Sequence, residues 1–210
     1  MAAAAGAALD ELIGAIVADD RATVSSLLLA SPGMAVLRAE SGATREAAVD
    51  HYLSEVRHYV YVGDTPLHLA AAAYRPAIIR ELVSRGADVG AGNRRGAQPL
   101  HYAADGTPGS HTWNPTAQGE AVAALLAAGA DPNATDKSGV APLHRAVRTR
   151  CAAAVAALLD GGADPRLPNR RGSTPLQLAN RTTGRGGSGS PEAKAEQAEI
   201  RRLLELHGAT

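Results

Sequence analysis

Four stretches of this 210-residue chain lie on one another without a gap: Gly63-Asp-Thr-Pro-Leu-His-Leu-Ala-Ala71, Gly96-Ala-Gln-Pro-Leu-His-Tyr-Ala-Ala104, Gly139-Val-Ala-Pro-Leu-His-Arg-Ala-Val147 and Gly172-Ser-Thr-Pro-Leu-Gln-Leu-Ala-Asn180. They start 33, 43 and 33 residues apart. Three are followed at matching offset by a second motif: Leu82-Val-Ser-Arg-Gly-Ala-Asp88, Leu125-Leu-Ala-Ala-Gly-Ala-Asp131 and Leu158-Leu-Asp-Gly-Gly-Ala-Asp164. Composition alone does not return two motifs at one period, so the chain is built from repeated units.

Each motif carries a mechanical meaning. Thr65 and Thr174 can cap a helix with a hydroxyl, and the proline that follows takes the first helical position, where no backbone hydrogen bond is lost. Gln98 and Ala141 are weaker caps, so those two helices are expected to start less crisply. Gly86, Gly129 and Gly162 stand where a second helix ends in a left-handed residue. Each helix then has only about two to three turns, too few to persist alone in water, and neighbouring units must stabilise one another.

The paired motifs resemble the ankyrin repeat, whose signature is Thr-Pro-Leu-His-x-Ala-Ala followed by a Leu-Leu-x-x-Gly-Ala-Asp turn. The resemblance is tight over 63–180 and looser at the ends. It implies an all-α solenoid of stacked helix-turn-helix units with finger loops, about five repeats counting the caps. The expected divisions are 1–62 as an N-terminal capping helix pair plus an inserted helix, 63–95 as a repeat, 96–138 as a repeat with a loop insertion, 139–171 as a repeat, and 172–210 as a C-terminal capping repeat with a Gly/Ser-rich insertion. In the first cap Leu9 to Ala18 and Ala22 to Ala30 read as helices, with Leu12, Ile13, Ile16, Val24, Leu27 and Leu28 turned to the first repeat. At the other end Ser190-Pro191-Glu192 starts a helix that closes the stack through Ile200, Leu203 and Leu204.

Bulk composition narrows the functions. Hydrophobic residues make up 45% of the chain, yet there is no Phe, so the core is thin and made of Ala, Leu and Val. Basic and acidic residues balance at 21 each, which gives no whole-molecule pull toward nucleic acid or a membrane. The lone Cys151 excludes an intrachain disulfide. The first eight residues lack a basic start and run into Asp10 and Glu11, and no apolar run nears the length of a membrane span. A cytoplasmic location is therefore expected.

Three insertions break the period: 31–62, 105–118 and 182–190. Within the first, 44–60 reads as a helix with Val49, Leu53, Val56 and Val60 on its buried face. On that helix His51, Glu55 and His58 would share a side, a weak candidate metal site of two imidazoles and a carboxylate with an open position. An ordinary solvated face is the stronger reading of the same residues. The third insertion contains Gly184-Arg-Gly-Gly-Ser-Gly189, whose match to a phosphate loop is explained by composition, since no strand precedes it.

The remaining candidates concern binding. His68, His101 and His144 recur at one motif position, which the resemblance assigns to bonds with neighbouring backbone; Gln177 replaces them in the last repeat, as such a role permits. Cys151 reads as a small buried residue, although Arg148 and Arg150 could lower its pKa. Arg94, Arg95, Lys137, Arg170 and Arg171 recur on the finger loops and would form a cationic row beside the concave groove, the surface such proteins use, fit for an acidic segment of a partner. The alternative reading of these five residues is ordinary solubilising charge. No aromatic residue interleaves with them in sequence, which disfavours single-stranded nucleic acid. Trp113 either anchors a partner or seals its own loop, and Tyr59 lies in the aromatic N-terminal half. The expected function is a protein-protein interaction module that is not an enzyme and needs no cofactor. The alternatives are a small metal-dependent or edge-loop enzyme, or a self-associating scaffold.

Overall fold

The computed structural model describes residues 2–107, 113–181 and 191–209. Among these residues, helices pair off along the chain. The first cap is α1 (Ala2–Val17) with α2 (Arg21–Ala30), and the successive units are α3 (Pro66–Ala72) with α4 (Pro76–Ser84), α5 (Pro99–Ala104) with α6 (Pro115–Ala127), and α7 (Pro142–Thr149) with α8 (Ala152–Asp160). The last unit is α9 (Pro175–Ala179) with α10 (Pro191–Leu206). The first members of the pairs stack as an inner layer, α1 on α3, α3 on α5, α5 on α7 and α7 on α9; the outer layer stacks α4 on α6, α6 on α8 and α8 on α10. This is the all-α ankyrin-type solenoid the motifs implied.

Small residues let the inner layer close up. Ala70, Ala71, Ala103, Ala104 and Ala146 are all buried, with Leu67, Leu100 and Leu143 filling the space between units. The caps seal the ends of one continuous core, through Leu12, Ile16, Val24 and Leu28 at one end and Ile200 and Leu204 at the other. Each fully buried leucine contributes roughly 1.5–3 kcal/mol through the area it removes from water. Gly86, Gly129 and Gly162 end the outer helices at φ +91°, +91° and +89°.

Helix starts depend less on the cap residue than the sequence suggests. The N–H of Thr65, Gln98 and Ala141 donates to Nδ1 of His68, His101 and His144, at 3.1, 3.1 and 3.2 Å. In the last unit Thr174 N–H donates to Gln177 Oε1 at 3.1 Å. The side chain three positions into the helix thus reaches back to the first N–H, so α5 and α7 begin at their prolines as α3 does.

Other boundaries also differ from expectation. Helix α1 starts at Ala2 rather than Leu9, because the alanine run carries high helix propensity. Helix α6 starts inside the second insertion, where Asn114 Oδ1 accepts from Ala117 N–H at 3.0 Å and Pro115 takes the first helical position. The expected helix over 44–60 is absent. That stretch holds a short 3-10 turn (Val49–His51) and a hairpin of β1 (Tyr52–Leu53) and β2 (His58–Tyr59), with Tyr52 opposite Tyr59 and Leu53 opposite His58. Tyr and β-branched residues favour a pleated surface, and Arg57 turns the hairpin at φ +52°. Val49, assigned to a buried face, is 86% exposed.

Candidate functional site

The finger loops are built alike. Asn93, Asp136 and Asn169, three positions before each loop glycine, close their loops with a side-chain oxygen. Asn93 Oδ1 accepts from the N–H of Arg95 and Ala97, Asp136 Oδ1 from Ser138 and Val140, and Asn169 Oδ1 from Arg171 and Ser173, all at 2.8–3.1 Å. The sequence held this signal, a short polar side chain at fixed distance from Gly96, Gly139 and Gly172. Fingers then join edge to edge, Arg94 N–H to Val62 O and Lys137 N–H to Arg95 O, both at 2.9 Å. The glycine after each tip admits the next finger: a Cβ on Gly139 would lie 2.8 Å from Arg170 N, at a backbone φ of +69°.

The motif histidines clip one unit to the next. Because Nδ1 accepts from backbone, Nε2 carries the proton, and it donates to Ala97 O from His68 (3.0 Å), to Val140 O from His101 (2.9 Å) and to Ser173 O from His144 (3.2 Å). Burial disfavours the charged imidazolium, which lowers all three pKa values, that of His101 to about 4. Gln177 keeps only the backward half of this arrangement.

The cationic tips form a stacked group, and they differ in what they touch. All five are exposed, and Lys137 Nζ donates to Arg94 O at 2.8 Å. Arg94 turns back, its Nη2 donating to Ala43 O at 2.6 Å. Its guanidinium and that of Arg95 lie 5.9 and 4.8 Å from the centroid of the Tyr61 ring. Tyr59 and Tyr52 extend this aromatic surface, 38% and 39% exposed with ring centroids 4.8 Å apart. An aromatic ring therefore does meet the tips in space, contrary to the expectation drawn from their sequence neighbours.

His51, Glu55 and His58 do not share a face. They fall on the 3-10 turn, in the hairpin turn and on β2, and no group of three His, Cys, Asp or Glu among the described residues could hold a metal ion. The candidate metal site fails because it needed a helical period that the chain does not adopt. His58 has another partner: its ring stacks on Tyr102, centroids 4.3 Å apart.

Beneath that stack lies a buried polar cluster which sequence reading missed. Asp64 is 1% exposed, and its carboxylate accepts from Tyr102 Oη, Asn93 Nδ2 and Tyr61 N–H at 2.7–2.9 Å. Burial and the neighbouring Asp64 charge raise the Tyr102 pKa. One unit further on, Arg145 stands at the motif position of Tyr102. Its guanidinium donates to Asp105 at 2.9 Å and to Asp136 at 3.0 Å, and Arg148 pairs with Asp105 at 3.5 Å.

The second insertion is tied inward. Trp113 is half-buried, and its ring N–H donates to Gln118 Oε1 at 2.8 Å, while Gln118 Nε2 donates to Ala103 O at 3.0 Å. Cys151 is fully buried beside them, and burial pushes its thiol up to about 12, overriding any effect of Arg148 and Arg150. The Gly184 to Gly189 segment lies outside the described residues. No helix among the described residues is long and apolar enough to cross a membrane.

Family models of ankyrin repeats match three overlapping parts of the chain: a three-copy model over 12–111, a single-repeat model over 95–137 and a many-copy model over 125–179. Between them they run from α1 to α9. No curated protein matches the chain.

Proposed function

The chain belongs to the ankyrin-repeat family, whose members are generally protein-protein interaction modules, and we propose that it binds a partner protein through its concave face and finger loops. The partner presents an acidic segment. The observation that supports this reading is the stacking of the fingers: a backbone bond joins the Arg94–Arg95 finger to Lys137, and Gly139 lies against Arg170 of the next, so Arg94, Arg95, Lys137, Arg170 and Arg171 belong to adjacent fingers. Like charges gathered in a fixed array steer an opposite charge and select against similar ones. Tyr59 adds an exposed aromatic surface at one end of the row, the residue type that dominates binding energy at interfaces. Neither nucleic acid nor a membrane is part of the reading, and the protein works in the cytoplasm without a cofactor.

The test is equilibrium binding of a fluorescein-labelled poly-glutamate peptide, followed by anisotropy at rising salt. Wild type binds at low salt and loses affinity as salt increases, and Arg95→Glu, Lys137→Glu, Arg170→Glu and Arg171→Glu combined abolish binding. Equal binding by wild type and the combined variant removes the cationic row from the account.

A further inference from the structure

The inserted segment covers one half of the inner surface with the protein's own residues. Asp64 sits where the first finger meets its inner helix, a junction that Val140 leaves partly open two units on. It is shut because the chain before it folds over: Tyr61 N–H donates to the Asp64 carboxylate, and His58 crosses to stack on Tyr102 of the following unit. Arg94 fastens the cover from above by its bond to Ala43 O. Arg38 fastens it from the side, donating to Gly92 O at 3.0 Å.

The other half has no such cover among the described residues. Six positions past Pro99, Pro142 and Pro175 the chain places Asp105, Arg148 and Arg181 on successive units. Arg148 is 48% exposed and Arg181 is exposed, with its Nη2 donating to Ser173 Oγ at the last finger junction, 3.3 Å away. Lys137, Arg170 and Arg171 stand above them on the fingers. Among the described residues the carboxylate paired with this group is Asp105, which Arg145 also holds, while Asp136 is paired with Arg145. A cleft of about 140 Å³ opens between α7, α9 and α10, lined by Arg148, Arg181, Leu178 and Gln197 among others.

We propose that Arg148 and Arg181 form the floor of the docking site and that the acidic partner segment lies in the half of the groove over α7 and α9, not on the half closed by residues 52–61. This rests on the protein-binding reading above and narrows it to a place. Charge complementarity names the occupant: a positive floor and positive walls fit a run of Asp or Glu. The same charges would attract nucleic acid, but this half carries no exposed aromatic ring among its described residues for a base to stack on, since Trp113 is turned to Gln118.

Binding of the labelled poly-glutamate peptide decides the matter, measured on wild type, on Arg148→Glu/Arg181→Glu and each of its single reversals, on Arg95→Glu, and on Arg80→Glu of the outer face as a control charge-matched to the single reversals. A neutral pair, Arg148→Gln/Arg181→Gln, guards against misfolding of the reversed one, with helicity checked by circular dichroism. The floor reversal weakens binding at least tenfold, the neutral pair by a smaller factor, Arg95→Glu by less than either, and Arg80→Glu not at all. Floor variants within twofold of wild type, or a larger loss from Arg95→Glu, overturn the placement while leaving the protein-binding reading intact. No binding by wild type overturns both. A labelled oligo(dT) that binds more tightly than the peptide and is lost in the floor variants overturns the acidic-peptide assignment.

Discussion

His101 Nε2 donates to Val140 O across 2.9 Å, joining α5 to the finger of the next unit over the longest interval between two motif copies. The ten extra residues between those copies leave this bond unchanged in kind. It matches the bonds made by His68 and His144.

These clips make stability fall in acid. Each folded-state pKa lies below the unfolded value near 6.5, so the unfolded chain takes up protons first; the contribution is whole above pH 6.5 and is lost as pH drops through the folded value, about 4 for His101. For His101 the span corresponds to about 3 kcal/mol. Urea unfolding between pH 7 and pH 4 should show the midpoint falling steadily, and His101→Gln should flatten part of that slope, since an amide keeps the backward bond without titrating. An unchanged slope in the variant would remove His101 from the explanation.

Gly106 touches Cys151 so closely that a Cβ there would overlap Sγ and approach the Gln118 amide. Gly106→Ala should destabilise by about 1–3 kcal/mol, as overpacking does. Combining it with Cys151→Ala should recover part of the loss, which a double-mutant cycle by thermal denaturation would detect. Strict additivity of the two changes would contradict the contact.

Trp113 and Gln118 should act as a pair. Trp113→Phe leaves the buried Gln118 carbonyl oxygen without its donor, at about 1–2 kcal/mol. The single tryptophan also reports its surroundings: native emission should be blue-shifted from that of the urea-unfolded chain, and identical spectra would show the ring in water.

Arg145 holds two carboxylates of the preceding unit, so Arg145→Met removes a partner from Asp105 and from Asp136 together, leaving Arg148 on Asp105. A loss of about 2–4 kcal/mol is expected. Asp105→Asn in the same chain should lessen the penalty, measured by the shift in urea midpoint.

Cys151 should be silent toward a thiol reagent in the native state at pH 8, because the thiol is buried and its pKa is raised to about 12. Full reaction on adding denaturant, and none before, is the expected record; prompt native labelling would place the sulfur at the surface.

Local chemistry was legible throughout the repeats. Proline at the first helical position, glycine at a left-handed turn and a hydrogen-bonding side chain three positions in are decisions made within a few residues, so a motif displays them directly. The inserted segment was misread for the same reason in reverse. Val49, Leu53, Val56 and Val60 satisfy a helical spacing, but Tyr52, His58 and Tyr59 suit a hairpin equally, and nothing nearby breaks the tie. What breaks it is Tyr102, far along the chain, whose ring gives His58 a surface to stack on.

The sequence by itself determined that the chain stacks helix pairs with fingers in register, because no unit can bury its own apolar stripe. Only the tertiary structure decided where the inserted segment lies on the inner surface and which of the described cations are already engaged. Arg94 and Arg170 occupy the same motif position and cannot be told apart in sequence. Both are exposed, and what distinguishes Arg94 is its bond to Ala43 O, a single contact of about 1 kcal/mol between distant residues that leaves no periodic trace.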